Sequence, residues 1–276
     1  MNFFHRQCLK LRLFRLGERP TDKNFLLKPY IRFYLRKLGV SHDWSDAGIT
    51  VGIKTRARRF EFKCRDSLSD AAVLAEVFAE QQYLSPFPIS GVSQIVDLGA
   101  NIGAYAAFAH ARFPTAEIAC VEADPENVML LRENIRINSL PCVVISAAVT
   151  GARRRGHVPF INYGPSTSRA VCIDGNQPHI QVPGIPLDEV LSGLRGETVD
   201  VLKCDIEGAE GEVFDALTPA VTRRLRHLVI EYHSPALRTA LRARLAADFN
   251  ERYETAINGT QGLLWFSSRA EPRDTW

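Results

Sequence analysis

Gly99 and Gly103 bracket the end of a seven-residue stretch, Asp97-Leu98-Gly99-Ala100-Asn101-Ile102-Gly103, whose residue types suit a small charged ligand. Glycines let the backbone turn tightly and approach a bound molecule. Free amides at the start of a following helix attract an anion such as a carboxylate. Asp97, at the mouth of the turn, offers the opposite charge. Glu122, in Cys120-Val121-Glu122-Ala123-Asp124, follows Gly103 by nineteen positions. That is the spacing at which an acidic residue accepts hydrogen bonds from ribose hydroxyls. A third cluster, Leu202-Lys203-Cys204-Asp205-Ile206-Glu207-Gly208-Ala209-Glu210, crowds Asp205, Glu207 and Glu210 into six residues. Such crowding costs repulsion unless something cationic shares the space. Glu207 and Glu210 also have a purely structural reading, as carboxylates favoured at a helix N-terminus. His233, in Ile230-Glu231-Tyr232-His233-Ser234-Pro235, has an intrinsic pKa suited to moving a proton.

These residues need a scaffold that brings strand ends together, and the pattern from residue 94 onward supplies one. Gln94–Leu98, Glu117–Val121, Cys142–Ala148, Val199–Cys204 and His227–Ile230 read as short apolar strands, most followed by a helix-compatible segment. Ala104–Arg112 is the first such helix. Asp124-Pro125 opens the second, with Asp at the N-cap and Pro at the first helical position. Strands alternating with helices imply an α/β, doubly wound, mostly parallel sheet covered on both faces. Tyr253–Ile257, the turn Asn258-Gly259 and Leu263–Phe266 predict a C-terminal hairpin with an antiparallel strand. In such sheets ligands bind beyond the carboxyl ends of the strands, where all the clusters above fall.

Two nucleoside ligands compete for the first turn. A dinucleotide needs Gly-x-Gly-x-x-Gly to cradle its pyrophosphate. This chain lacks the middle glycine, and Asp97 would repel a pyrophosphate. S-adenosylmethionine carries an ammonium, a carboxylate and a sulfonium but no phosphate, and Asp97 suits its ammonium. The residues therefore favour a methyltransferase over an NAD-dependent oxidoreductase. A non-catalytic cofactor-binding protein is the other alternative, opposed by the presence of all three strand-tip motifs. The base that would take a hydroxyl proton stays open between His233, Asp205 and Glu207.

Together, VDLGANIG, VEADPEN-x-x-x-L-x-x-N and VLKCDIEGAE closely resemble the FkbM-type methyltransferase family, from roughly Asp66 to Tyr232. The resemblance implies a class I, Rossmann-like methyltransferase fold and, most often, methylation of a hydroxyl oxygen. It implies Asp97, Gly99, Asn101, Gly103 and Glu122 as cofactor contacts, with Asp205, Glu207 and Glu210 as the fourth-strand motif. On both readings together, Asp97, Gly99, Asn101, Gly103, Glu122, Asp205 and Glu210 are the candidate cofactor-binding residues. Asp205, Glu207 and His233 are the candidate catalytic ones. The expected acceptor is a hydroxyl on a small molecule or carbohydrate. Base-methylating enzymes of nucleic acids resemble one another in an Asn-Pro-Pro-Tyr type motif where this chain has Asp205-Ile206-Glu207-Gly208. With no aromatic–basic stripe either, nucleic acid is not the expected partner.

The remainder of the chain divides into an N-terminal lead-in, residues 1–88, and the cofactor-binding domain, residues 89–276. Residues 1 to about 45 read as helical with a polar break near Gly17 to Lys23. Ile49-Val51-Ile53 and Phe60-Phe62-Cys64 alternate as a short antiparallel pair, and Ser67 to Tyr83 has helical spacing. The first twenty residues interleave basic and apolar side chains. They suit a helix capping the domain better than one lying on a membrane surface. Residues 150–186, rich in Gly, Pro and polar residues, predict a long lid or substrate loop containing Arg153–Arg155 and Ser166-Thr167-Ser168. The chain has 276 residues, a formal charge of +3, 46% hydrophobic and 24% charged residues. This is the composition of an ordinary globular protein. Its six cysteines form no metal spacing and read as reduced thiols, hence an expected cytoplasmic location and no metal.

Overall fold

The computed structural model describes residues 11–37, 48–151, 156–161, 170–171 and 179–270. The lead-in comprises helix α1 (Pro20–Lys37), the hairpin β1 (Gly48–Lys54) and β2 (Arg59–Arg65), and helix α2 (Leu68–Leu74). Then follow β3 (Gln94–Leu98), α3 (Ala104–Arg112), β4 (Glu117–Glu122), α4 (Pro125–Asn138) and β5 (Cys142–Ser146). Strands β6 (Ala148–Thr150), β7 (Gly156–Ile161), β8 (Ala170–Val171) and β9 (His179–Pro186) precede α5 (Leu187–Ser192) and β10 (Val199–Cys204). The chain continues with α6 (Glu210–Asp215), α7 (Pro219–Thr222), β11 (Leu225–Tyr232) and α8 (Pro235–Leu245). It ends in the hairpin β12 (Phe249–Ala256) and β13 (Gly262–Ser268).

Seven strands form the main sheet in the order β12-β13-β11-β10-β3-β4-β5. Pairing is parallel from β11 through β5, while β13 runs antiparallel to both β11 and β12. The order reverses between β3 and β10, so their carboxyl ends meet at the switch point where ligands of such sheets bind. Every residue of β3 and β10 is buried, as expected for strands covered on both faces. Alternation sends Ile95, Val201, Val229 and Trp265 to one core, shared with Leu74, Phe78 and Ala106. Val96, Leu202, Ile230 and Leu264 go to the other, shared with Val190, Phe214 and Leu241. The same period of two puts Asp97, Lys203 and Glu231 on the first face, next to the lead-in.

The lead-in hairpin pairs Ile49 with Cys64, Val51 with Phe62 and Ile53 with Phe60, the residues whose alternation predicted it. Its outer strand is held by asparagines of α4. Asn134 Oδ1 accepts the Lys63 amide at 2.7 Å, and its Nδ2 donates to the carbonyls of Lys63 and Ile102 at 3.1 and 2.9 Å. One turn later Asn138 repeats the pattern on Glu61, accepting at 2.9 Å and donating at 2.7 Å. Asn127 Oδ1 accepts from Arg65 at 2.8 Å. Side-chain amides spaced by one helical turn thus stand in for a neighbouring strand, satisfying an edge that would otherwise be unpaired. The two motif asparagines, Asn127 and Asn134, dock the lead-in on the sheet.

Three expectations change. Ser67 to Tyr83 is not one regular helix: Ser67 caps α2, which passes into a π-helical turn at Ala75–Glu80. The predicted third strand breaks after Ser146, and Ala148–Thr150 joins a second sheet of order β6-β9-β7-β8. The segment read as a long loop is therefore partly strands, whose Gly- and Pro-containing sequences hid their period. Arg153–Arg155 and Ser166-Thr167-Ser168 lie outside the described residues, as do residues 1–10 of the basic N-terminus. Cys64, Cys120, Cys142 and Cys204 are free thiols. Among the described residues no helix is long and apolar enough to cross a membrane.

Replacing Asn134 with Ala leaves a buried amide and two carbonyls unsatisfied. The expected loss is ~1–3 kcal/mol in urea unfolding. A change within experimental error would show that the docking contacts are dispensable.

Candidate active site

The first loop is shaped by positive φ angles at Gly99 (77°), Asn101 (49°) and Gly103 (89°). Gly99 faces protein: a Cβ there would sit 1.8 Å from the Asp205 carbonyl oxygen. Only a hydrogen at that position lets the tips of β3 and β10 close on each other, and Asp205 completes the contact by donating its amide to Leu98 O at 3.1 Å. Gly103 serves as N-cap of α3. Glu122 bridges the first two tips, accepting the Asn101 amide at 2.7 Å and the Asp124 amide at 2.8 Å. Burial pushes its carboxyl up, and these amides pull it back. A carboxylate has about four lone-pair sites, so both oxygens retain capacity for hydroxyl donors. Asp124 caps α4 through the amides of Glu126 and Asn127.

Asp97 is wholly buried, and its partner is Lys203, which stands beside it in register on β10. Lys203 Nζ lies 3.1 Å from Asp97 Oδ1 and 3.9 Å from Asp205 Oδ2. It also donates to Gly99 O at 2.8 Å and lies over the Tyr83 ring at 5.4 Å from the centroid. Burial opposes the lysine charge, but Asp97 and Asp205 outweigh it and hold the amine charged. The negative charge that the sequence assigned to a ligand ammonium is thus balanced inside the protein. Asp205, one strand over, shares the same lysine and turns its carboxylate to Tyr83 and His233.

Tyr83, after the π-helical turn, reaches across the tips. Its hydroxyl lies 3.0 Å from Asp205 Oδ2 and 3.1 Å from Glu231 Oε2. One proton serves one acceptor, so the second contact calls for a proton on a carboxyl. Glu231 is the group that carries it: burial and the Asp205 charge raise it to about 8. Glu76, on the π-helical turn, is likewise pushed up to about 8 by burial and by Glu231. Asp205 stays below the usual carboxylate range, because Lys203 and His233 outweigh its burial.

His233 Nε2 lies 3.6 Å from Asp205 Oδ1 and 3.5 Å from Glu210 Oε1, with Nδ1 3.9 Å from Glu207 Oε2. Burial disfavours its charge, but these carboxylates prevail and raise it to about 11. In that state it is an imidazolium with no lone pair to accept a proton. Glu210 is fully buried and folds its own loop, accepting the amides of Ile206 and Gly208 at 3.0 and 2.9 Å. Its structural reading is met directly. Glu207 is held at φ 57°, a conformation that costs a non-glycine residue ~1–2 kcal/mol.

The sequence-derived residues therefore gather at one end of the sheet: Asp97, Gly99, Asn101, Gly103 and Glu122 on one side, Asp205, Glu207, Glu210 and His233 on the other. Four participants escaped the sequence reading. Lys203 carried a signal, as one of two charges, with Asp200, inside a strand whose remaining residues are apolar enough to be buried on both faces. Glu231 shares its face by alternation. Glu76 and Tyr83 reach the site only through the packing of the lead-in.

Lys203→Met would strip Asp97 of its partner in a dry environment. The expected loss is ~3–5 kcal/mol in chemical unfolding. Adding Asp97→Asn should recover much of it, as coupled neighbours do. Additive losses would show that the two groups do not interact.

The profile of the methyltransferase FkbM domain matches residues 97–251, more than half of the chain. No curated protein matches it. Similar solved structures include a methyltransferase FkbM from Methylobacillus flagellatus KT, at 14% identity and TM-score 0.46, covering 71% of this chain and 53% of that one. A putative transferase from Pyrococcus horikoshii shares 15% identity at TM-score 0.47, with 87% and 84% covered. The T. thermophilus 16S rRNA methyltransferase RsmC, in complex with AdoMet and guanosine, shares 15% at TM-score 0.45, with 80% and 51% covered. This chain spans about half the length of the first and third. Likenesses this distant carry nothing about the acceptor. The profile match, spanning the strand tips described above, makes this chain a member of the FkbM methyltransferase family.

Proposed function

We propose that the chain transfers the methyl group of S-adenosylmethionine to a hydroxyl oxygen of a small molecule or carbohydrate. The observation that carries this reading is the make-up of the site: the ionised Asp205 lies in one carboxyl-rich cluster at the strand tips with Glu207 and the protonated Glu76 and Glu231. Such a cluster repels a phosphate backbone and accepts a cationic donor with an uncharged polyhydroxyl partner. Glu122 would take the ribose hydroxyls, and the loop would take the amino-acid tail. Asp205 would face the donor's positive charge, since Lys203 occupies Asp97. When bound, the donor supplies an activated methyl group for in-line displacement. Holding an acceptor oxygen behind it is worth up to ~7–11 kcal/mol, and a positioned base adds ~10²–10⁴-fold. Among the tip residues, Asp205 carries the ionised carboxylate and is the group we assign to orienting the acceptor, with Glu207 and His233 bordering it.

S-adenosylhomocysteine is expected to raise the melting temperature and NADH to leave it unchanged. The reverse result would sink the reading. In a transfer assay with labelled donor and a metabolite extract, Asp205→Ala should lose at least ~100-fold in rate while its melting curve stays cooperative. Retained transfer would remove Asp205 from the machinery.

A further inference from the structure

We propose that Asp205, Glu231 and His233 form a site for one divalent transition-metal ion at the carboxyl ends of β10 and β11. One ligand atom from each residue can be chosen so that all three lie within 4.8 Å of one another. Ligand bonds of ~2.0–2.2 Å place donor atoms ~3.0–3.5 Å apart; Asp205 Oδ1 and His233 Nε2 are already near that spacing at 3.6 Å, and side-chain rotation must close the remaining gap to Glu231.

Three features separate this group from an ordinary patch of carboxylates. Asp205 Oδ1 and His233 Nε2 are both fully enclosed and, beyond the loose ion pairing of His233 with Asp205 and Glu210, make no hydrogen bond. They face each other at 3.6 Å, too far for a hydrogen bond and suited to a shared ion. Leaving such atoms unsatisfied costs ~1–3 kcal/mol each, a cost a bound ion removes. Second, an imidazole with two carboxylates is a mixed nitrogen–oxygen set, which favours Mn²⁺ or Zn²⁺ over Mg²⁺ or Ca²⁺. Third, the outer partners are in place. The Tyr83 hydroxyl holds Oδ2 of Asp205 and Oε2 of Glu231. With Nε2 turned to the ion, Nδ1 lies 3.5 Å from the Gln261 side-chain amide and 3.9 Å from Glu207 Oε2, which takes the Nδ1 proton. Ligating histidines are commonly oriented by a carboxylate in this manner.

His233 enters the site as neutral imidazole and Glu231 as carboxylate: the Nε2 proton of the one and the carboxyl proton of the other pass to solvent as the ion binds, and the Tyr83 hydroxyl then donates to one of the two carboxylates. Three protein ligands leave coordination positions for water or for an oxygen of the acceptor. There the ion acts as a Lewis acid that makes a hydroxyl easier to deprotonate. That use rests on the methyl-transfer reading; the site itself does not.

The test uses the full chain, stripped of metal with chelator and titrated calorimetrically with Mn²⁺ and, separately, Zn²⁺. One ion per chain is expected, weakened at least ~10-fold in Glu231→Gln and in His233→Ala. Affinity for S-adenosylhomocysteine, measured alongside, should persist in both variants, which separates loss of the site from loss of the fold. Electron spin echo spectra of Mn²⁺ on the unsubstituted chain should show ¹⁴N coupling from a directly bound imidazole. No binding of either ion, or bound Mn²⁺ without ¹⁴N coupling, overturns the proposal. Should S-adenosylhomocysteine alone fail to bind, the methyl-donor reading falls while the metal site stands.

Discussion

A lysine ammonium buried in the centre of a parallel sheet is the constraint around which the carboxyl ends of the strands are arranged. Lys203 is buried, and its charge persists because Asp97 and Asp205 outweigh that burial, with the carbonyls of Leu98 and Gly99 accepting from its ammonium. Burying two opposite charges gains little net stability, yet separating them is expensive. The arrangement therefore fixes geometry: β3 and β10 cannot slide or part without stranding a charge. Gly99 is the matching backbone constraint, since any side chain there would collide with Asp205.

The family motifs divide into two kinds of work. In the asparagine-bearing motif, Asn127 and Asn134 dock the lead-in hairpin, helped by the nearby Asn138, while Asp124 caps a helix. Glu210 ties its own loop together. These residues hold the scaffold. Glu122, Asp205, Glu231 and His233 keep unspent bonding capacity at the strand tips. The lead-in belongs to both groups, because docking it delivers Tyr83 and Glu76 to the site.

The resulting pocket is rich in negative charge, and its groups respond by sharing protons. Glu76 and Glu231 rise to about 8, chiefly through burial and then through neighbouring carboxylates, while His233 rises to about 11 because the carboxylates around it outweigh its burial.

Strand–helix alternation, the hairpins and the helix caps were legible from the residues because each depends on local period and end chemistry. Ile49, Val51 and Ile53 pair as their alternation predicts, and Asp124-Pro125 starts a helix for reasons contained in two residues. Which strand tips adjoin was legible only as a topology, from the rule that such sheets wind in both directions. Local sequence could not assign Gly99 to the carbonyl of a residue one hundred and six positions away, nor Asp97 to Lys203. It could not bring Tyr83 between Asp205 and Glu231. Those contacts are made by packing between distant segments, and a carboxylate's charge state follows from what packing places beside it.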